Sequence, residues 1–284
     1  MHARRFPNPF LPFALLFFLH LNPLSVRCES PAKLGPAPRA TETMLPESVG
    51  PGYVRAVVAP IDNSDRSDVA DAFDAVYRAA QGIAANWTGN VGTCTAGTTS
   101  QDYIDATLLR VNYYRAMVGL PGNVVFDSTF NQKCSEAALM MIANSDLSHN
   151  PPPTWTCYTA EGAEAAGKSN IAIGRAGPES IDLYILDSGP GNTAVGHRRW
   201  ILYPPQQTMG TGSSTAVNGF FNGSNALWVL ASMGTRPATP EWVAWPPAGY
   251  VPIKSSIRAG RFPTRTPTSR AQRLRCRTTD RRCR

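Results

Sequence analysis

Two histidines are the side chains whose surroundings best suit them to do chemistry. The sequence has four histidines, and His2 and His20 lie in an N-terminal stretch with the features of a targeting segment. His149 follows Leu-Ser, whereas His197 stands between a glycine and two arginines in AVGHRRWILYPP, residues 194–205. Since imidazole serves as a general acid, a general base or a metal ligand near neutral pH, these two residues are the first candidates for a functional site.

Motifs for a nucleophile do not accompany these histidines. The sequence has no Gly-x-Ser-x-Gly, no His-Glu-x-x-His and no reactive-cysteine signature. The MGTG run at residues 209–212 is too short to indicate a phosphate-binding loop. Ser148 and Ser169 are near His149 in sequence, but that proximity is weak evidence for a catalytic triad. The motifs therefore favour a binding protein over an enzyme.

Residues 1–28 predict a secretory signal peptide. They begin with a basic pair, Arg4 and Arg5, and continue with an apolar stretch interrupted by prolines. This stretch is too short and too interrupted to be a convincing membrane span, so we expect no integral span in the mature chain. An uncleaved signal that anchors the N-terminus is the alternative. Cleavage would give a secreted or cell-envelope protein, extracellular or periplasmic.

Export would place the cysteines in an oxidising compartment. Cys94, Cys134 and Cys157 lie in the body of the chain, which indicates one disulfide and one free thiol. Cys134 falls on a predicted helix, whereas the other two fall in predicted loops. Since two loop cysteines bridge more easily than one on a helix face, we favour a Cys94–Cys157 pair.

The net charge gives no argument for nucleic-acid binding by the folded part. The chain carries +7 in total, but residues 253–284 contribute +10 and residues 1–28 contribute +3, so that residues 29–252 carry −6. A nucleic-acid-binding domain would concentrate basic residues on its own surface. We therefore expect no nucleic-acid partner.

The basic tail, residues 253–284, has almost no apolar periodicity, which is typical of a disordered segment. A shifted reading frame from Pro252 onward permits YQVVYPRWSFSYPDADFSxATVTV, whose β-branched and aromatic residues are typical of two strands around a turn. We interpret the tail as the product of a frameshift that truncated a longer protein. Residues 233–252 would then be the start of a further β segment.

Composition and periodicity divide the remaining chain into three parts. Residues 29–64 are rich in Pro, Ser, Glu and Gly and predict a linker, with a short strand at YVRAVVAP. Residues 65–99 predict an N-terminal helical extension, because a polar cap precedes apolar residues at helical spacing. The core domain, residues 100–232, opens with a helix that Ser100 caps.

The rest of the core predicts an α+β domain. A second helix is capped by Asp127 or Ser128. After a long loop, the pattern predicts a helix at Glu179–Leu186, a glycine-rich loop, and strands at Trp200–Tyr203 and 225–232. A helical first half followed by strands is typical of the α+β class.

Five motifs in order resemble the CAP superfamily: the cysteine-rich secretory, antigen 5 and pathogenesis-related 1 proteins. They are VNYYRAMVGL, LSH, NIAIG, YILDSG and GHRRWIL. The chain is most similar to the bacterial extracellular SCP-like branch, in which the last motif begins GHR. The resemblance covers residues 100–232 and implies an α-β-α sandwich.

The resemblance also implies a cleft. Members commonly hold two histidines and two acidic residues there, which bind a divalent metal in some cases. His149 and His197 match the histidines, and Asp187 matches an acidic position that is usually Glu. Ser169 stands where the other Glu would be, which weakens a metal site. The implied zinc ligands are His149, His197 and Asp187, and the alternative is that both histidines are hydrogen-bonded packing residues.

Three functions are compatible with this reading. The first is a secreted, non-catalytic module that binds a small apolar ligand such as a lipid, a cell-wall component or a protein. The second is a metal-dependent hydrolase that uses His149, His197 and Asp187. The third is a structural or adhesive part of a larger exported protein.

Overall fold

A computed structural model describes residues 31–38, 53–189, 192–231, 233–239 and 241–252. The predicted signal peptide, residues 1–28, and the predicted frameshifted tail, residues 253–284, lie outside these ranges. No helix in the described ranges is both long enough and apolar enough to cross a bilayer.

Six strands form one mixed sheet at the centre of the molecule. Their order across the sheet is β1-β4-β6-β5-β3-β2. The pairs are antiparallel except for β3 with β5, which is parallel. The strands are β1 (Lys33–Leu34), β2 (Tyr53–Arg55), β3 (Val125–Asp127), β4 (Ser169–Ile173), β5 (Thr208–Asn218) and β6 (Phe221–Trp228).

Helices cover both faces of this sheet, as an α-β-α sandwich requires. Successive residues of β6 point to opposite faces: Leu227 packs in one core cluster, and Ala226 and Trp228 pack in the other. The first cluster contains α2 and α5, and the second contains α3 and α4. The helices are α1 (Arg66–Ala72, continued as a π-helix over Phe73–Arg78), α2 (Gln101–Met117), α3 (Ser128–Asn144), α4 (Ala160–Lys168), α5 (Gly177–Leu186) and α6 (Gly196–Ile201).

The caps predicted for the two long helices are confirmed. The Ser100 hydroxyl accepts from the Tyr103 amide at the start of α2, and the Asp127 carboxylate accepts from the Phe130 amide at 2.9 Å at the start of α3. The MGTG glycines serve packing: a Cβ at Gly212 would lie 2.0 Å from the Ser135 nitrogen of α3. This close approach seats α3 against β5.

The strand predicted at Trp200–Tyr203 is wrong. Residues 196–201 form α6, with the Leu202 amide donating to the Arg198 carbonyl at 2.9 Å. The apolar run alone does not distinguish a short strand from a helix. Buried Arg115 decides the outcome, because its guanidinium takes the carbonyls of Ile201 and Tyr203 at 2.8 and 2.9 Å. Those carbonyls are then not free for a strand ladder.

Two other elements were not expected. The predicted long loop contains α4, which Thr159 caps by accepting from the Gly162 amide at 2.9 Å, and its apolar end is β4. The small polar run that forms β5 holds four β-branched residues among eleven, but it lacks a regular alternation of apolar and polar residues, so local pattern did not indicate a strand that pairs along β6. The final strand is confirmed as part of β6.

The flanking segments differ in part from their predicted roles. The predicted linker, residues 29–64, supplies β1 and β2 to the two edges of the sheet. The helical extension, residues 65–99, contains α1 and a loop that ends before α2. Between 233 and 252, the described residues include one isolated bridge, from Met233 to Gln206, and no strand.

The predicted disulfide is confirmed. Cys94 in the loop before α2 bonds Cys157 in the loop before α4, and Cys134 is a buried free thiol on α3. Burial raises the pKa of the Cys134 thiol to about 12, so it stays protonated at neutral pH. Its position is that of a packing residue.

Candidate functional site

Asp187, the residue that directly follows α5, is placed by a left-handed turn. Asp187 has φ 45° and ψ 42° and follows the end of α5, with its amide donating to the Leu183 carbonyl at 2.9 Å. Aspartate is one of the few residues other than glycine that tolerates this conformation. The turn directs the carboxylate toward α6, which begins nine residues later in the sequence.

The carboxylate meets His197. Nδ1 of His197 lies 2.8 Å from Oδ1 of Asp187, and the imidazole stacks on the Tyr184 ring with centroids 5.8 Å apart. A carboxylate only accepts hydrogen bonds, so Nδ1 carries the proton, and in the neutral ring Nε2 is an acceptor. His197 is 3% exposed, and Nε2 has no hydrogen-bond partner among the residues that the structure describes.

Two further donors fix the Asp187 carboxylate. Asn192 Nδ2 donates to Oδ1 at 2.9 Å, and the Arg198 amide donates to Oδ2 at 3.2 Å. Burial by itself raises the pKa of Asp187, but the hydrogen bond from His197, together with these two donors, outweighs burial and holds the pKa below its usual value. The group is therefore an anion that orients His197.

The backbone around this pair is also tied down. The Arg198 guanidinium donates to the carbonyls of Ile185 and Leu186 at 2.6 and 2.8 Å, which satisfies the open end of α5. Asn170 Nδ2 on β4 donates to the His197 carbonyl at 3.1 Å. Arg198 was expected to pair with a carboxylate or to face solvent, and Asn170 and Arg115 were not predicted to support the site, although all three lie in the motifs that carried the resemblance.

A cavity of about 920 Å³ lies beside His197. One wall is the N-terminal segment 34–38, and another is the loop before α6. The polar residues of the lining include His197 and Asn192. Apolar and aromatic side chains of the lining include Leu34, Pro36, Pro38, Trp200, Tyr203 and Met233.

His149 is held elsewhere and does not line this cavity. Its Nδ1 lies 2.6 Å from the Ala166 carbonyl oxygen, and its Nε2 contacts the Pro36 carbonyl oxygen. The ring is half-buried. Both nitrogens therefore face backbone acceptors, one on α4 and one on the N-terminal segment.

Ser169 is also apart from the Asp187–His197 pair. It is fully buried at the start of β4, where its hydroxyl lies 3.7 Å from the Cys134 sulfur. The structure thus brings together two of the four residues predicted for the cleft, Asp187 and His197, and places His149 and Ser169 in other surroundings.

The residues present do not fit a resident metal ion. Within the described ranges, no group of three or more His, Cys, Asp or Glu side chains is arranged to hold one. Each nitrogen of His149 contacts a backbone carbonyl oxygen, so neither nitrogen is free to bind a metal. His197 Nδ1 is bonded to Asp187. The predicted zinc triad of His149, His197 and Asp187 is therefore not assembled.

Comparison with known proteins supports the resemblance. The family model for CAP, the cysteine-rich secretory protein family, matches residues 108–231. Searches of curated proteins and of solved structures gave no match. The matched range begins within α2 and contains α3 to α6 and the strands β3 to β6, together with Asp187 and His197. Residues 108–231 therefore form a domain of the CAP superfamily.

Proposed function

We propose that this protein is an exported CAP-domain binding module whose cavity beside His197 takes a small apolar ligand that carries one hydrogen-bond donor. The observation that carries the proposal is the pairing of a largely apolar cavity with one buried acceptor, His197 Nε2, that has no partner within the described ranges. Ligand sites are commonly apolar cavities with a few fixed polar groups.

The energetics favour a ligand with a hydroxyl or similar donor. An unsatisfied buried polar atom costs about 1–3 kcal/mol, and a ligand hydroxyl that donates to Nε2 would recover part of this. Asp187 holds the imidazole in the tautomer that accepts at Nε2, so the site is preorganised. The volume of about 920 Å³ is within the range for small-molecule sites.

Export and the class of natural ligand are part of the proposal. The predicted signal peptide and the Cys94–Cys157 disulfide support a secreted or cell-envelope location, because structural disulfides persist in oxidising compartments. The natural ligand would be a lipid-like molecule or an apolar part of a cell-wall component. A protein partner is treated separately below.

Calorimetric titration with 2-naphthol, an apolar probe with one hydroxyl, tests the proposal. We expect saturable binding with one site per chain. Trp200→Ala removes an aromatic wall and should weaken binding about tenfold, in line with about 1–2 kcal/mol of lost apolar contact. Trp242→Ala is the matched control, because Trp242 is 84% exposed and does not line the cavity. Equal affinities for the two variants, or no saturable binding, would reject the site.

A further inference from the structure

Strand β4 lies next to the edge of the sheet, and only the very short strand β1 covers its outer side. On one side β4 pairs with β6 over five residues, and on the other it pairs with β1 at only two positions, Lys33 with Ile173 and Leu34 with Ala172. If residues 31–38 left, β4 would be a bare edge whose backbone groups could pair with another chain.

Residues 31–38, which we call the strap, are held by main-chain hydrogen bonds and by two side chains: Leu34 packs against the core, and Lys33 lies over the Phe221 ring. The Gly35 amide donates to the Ile171 carbonyl at 3.1 Å, and the Pro38 carbonyl accepts from Trp200 Nε1 at 2.8 Å. The Pro36 carbonyl contacts His149 Nε2. Since these contacts use backbone atoms of the strap, another extended chain can make them.

The surface that the strap contacts, formed by His149, Ile171, Gly196 and Trp200, is called the seat. The strap and the seat approach closely at two positions where only small residues fit. A Cβ at Gly35 would lie 2.7 Å from Ile171 Cγ1, which is closer than real Cβ contacts. On the other side, a Cβ at Gly196 would lie 2.4 Å from the Ala37 Cβ. The strap and the domain therefore approach each other at matched glycines, as a fitted interface does.

The strap and its seat belong to different parts of the chain. His149, Ile171, Gly196 and Trp200 all lie in the range matched by the family model, residues 108–231, whereas the strap lies before it. The seat thus lies within the CAP-matched range of this chain, and the strap is a separate N-terminal segment that fills it.

We propose that the edge of β4, together with His149 and Trp200, is a binding site for an extended peptide of another protein, and that the strap occupies this site in cis. Addition of a strand to an exposed sheet edge is a common mode of peptide recognition. The peptide would carry glycine at the Ile171 contact, then proline, a small residue and proline, as the strap does. This inference does not depend on the small-ligand proposal.

Because the strap occupies the site in the same chain, it should compete with any free peptide. A tethered segment competes at an effective concentration of about millimolar, so a free peptide should bind the unaltered chain weakly. A substitution in the strap that weakens its contact with the seat should expose the site without changing the domain. Gly35→Val does this in the full chain, because the added side chain meets Ile171.

The experiment uses a fluorescein-labelled peptide of sequence PAKLGPAP, residues 31–38, and measures its anisotropy with the full chain. We expect saturable binding to the Gly35→Val protein and to a full chain lacking only residues 31–38, and at least tenfold weaker binding to the unaltered chain. Adding Trp200→Phe, which keeps the ring but loses the donor to Pro38, should weaken peptide binding about fivefold. A peptide with the Gly35→Val change should bind at least tenfold more weakly than the native one.

Three results would overturn the proposal. The first is no saturable binding to the folded Gly35→Val protein. The second is equal binding of the native and Val-containing peptides. The third is a dimer of the unaltered chain, by sedimentation, in which crosslinking places the strap of one copy on the seat of the other; the occupant would then be a second copy.

A measurement on the unaltered chain guards against variants that fail to fold. Millimolar native peptide should displace the strap and speed hydrogen exchange at the Gly35 amide at least threefold, because that amide loses its bond to Ile171. The Val-containing peptide at the same concentration should not. No difference between the two peptides would also overturn the proposal.

Discussion

The two histidines singled out by the sequence lie in contrasting surroundings. His197 is buried, and a carboxylate that is itself held by two donors fixes one nitrogen, while the other nitrogen has no partner among the described residues and belongs to a ring that lines a cavity. His149 is half-buried, and both its nitrogens face backbone carbonyls, one of them on the strap. One side of the molecule presents an oriented imidazole, and the other uses an imidazole to hold chain segments together.

The different partners indicate different roles for the two histidines: His197 is suited to contact a ligand, and His149 holds chain segments together. A carboxylate partner selects a tautomer and leaves a defined acceptor, which suits His197 to contact a ligand. Backbone partners on two elements give His149 a structural task instead. The two motif histidines of this chain therefore differ in their hydrogen-bond partners, and those partners indicate their different roles.

The largest effect should come from removing the support of the His197 side. Arg115 is fully buried, and its guanidinium donates to five backbone carbonyls, including those of Ile201 at the end of α6 and Tyr203 just after it. Arg115→Ala should lower the free energy of unfolding by about 3 kcal/mol or more, because several buried acceptors lose their donors. Urea denaturation measures this.

The control for this variant is Arg78→Ala. Arg78 forms an exposed pair with Asp74 on the helix at 66–78, so its loss should change stability by about 0.5 kcal/mol or less. If the two variants were equally stable, Arg115 would not be the anchor of the turn after α6.

The second effect concerns the His149 side, which the disulfide crosslinks. Cys94 and Cys157 are 63 residues apart in sequence, and closing a loop of that size stabilises a fold by about 2–4 kcal/mol. A Cys94→Ser/Cys157→Ser variant should lose about this much. Hydrogen exchange should rise more in α4, which follows Cys157, than in α6. The reductant dithiothreitol should have no further effect on the variant, and equal exchange in the two helices would contradict the expected asymmetry.

The third prediction tests the Asp187 anchor through pH. At neutral pH, Asp187→Asn should cost about 1–3 kcal/mol, because a charge-assisted bond to His197 becomes a neutral one. Asparagine tolerates the left-handed backbone of residue 187, so the loss reports the side chain.

The sign of the pH effect follows from the lowered pKa of Asp187. The unfolded chain takes up the proton near pH 4, above the pH at which the folded chain does, so the contribution of this group is present above about pH 4 and is lost as the pH falls through the lower folded value. The stability difference between the unaltered protein and Asp187→Asn should therefore shrink below pH 4. A constant difference from pH 7 to pH 2 would contradict the anchor.

The smallest effect should come from His149→Phe. The change removes two contacts to backbone carbonyls and keeps a ring of similar shape, so we expect a loss of about 1 kcal/mol in global stability. The loosened segment is the strap, and exchange at the Gly35 amide should rise while amides of α6 stay unchanged. A global loss as large as that of Arg115→Ala would show that His149 supports more than the strap.

Much of the fold followed from local signals in the sequence. The capped helices α2 and α3 were predicted because Ser100 and Asp127 precede apolar residues at helical spacing, and α5 because its helical pattern ends at a glycine-rich loop. The Cys94–Cys157 pair was predicted because both residues fall in loops. In each case neighbouring residues carry enough information to specify the element.

The remaining features depend on contacts between distant segments. α6 was misread as a strand because its geometry depends on Arg115, 86 residues before Ile201. Four residues were predicted to line the cleft, but His149 instead contacts the carbonyl of Pro36, which is 113 residues away in the sequence. The pairing of β1 with β4 was also missed, because β1 lies in a segment whose composition is typical of a linker. Periodicity does not encode such partners.

The most direct test of the account is whether His197 Nε2 recognises a donor on an apolar ligand. Calorimetry gives the dissociation constants of 2-naphthol and naphthalene for three proteins: unaltered, His149→Phe, and Asp187→Asn/His197→Phe, in which no buried charge is left unpaired. We expect the preference for 2-naphthol to fall about tenfold in the double variant, the value of one hydrogen bond of about 1.4 kcal/mol, and to persist in His149→Phe. An unchanged preference in the double variant, or its loss in His149→Phe alone, would contradict the assignment of recognition to His197.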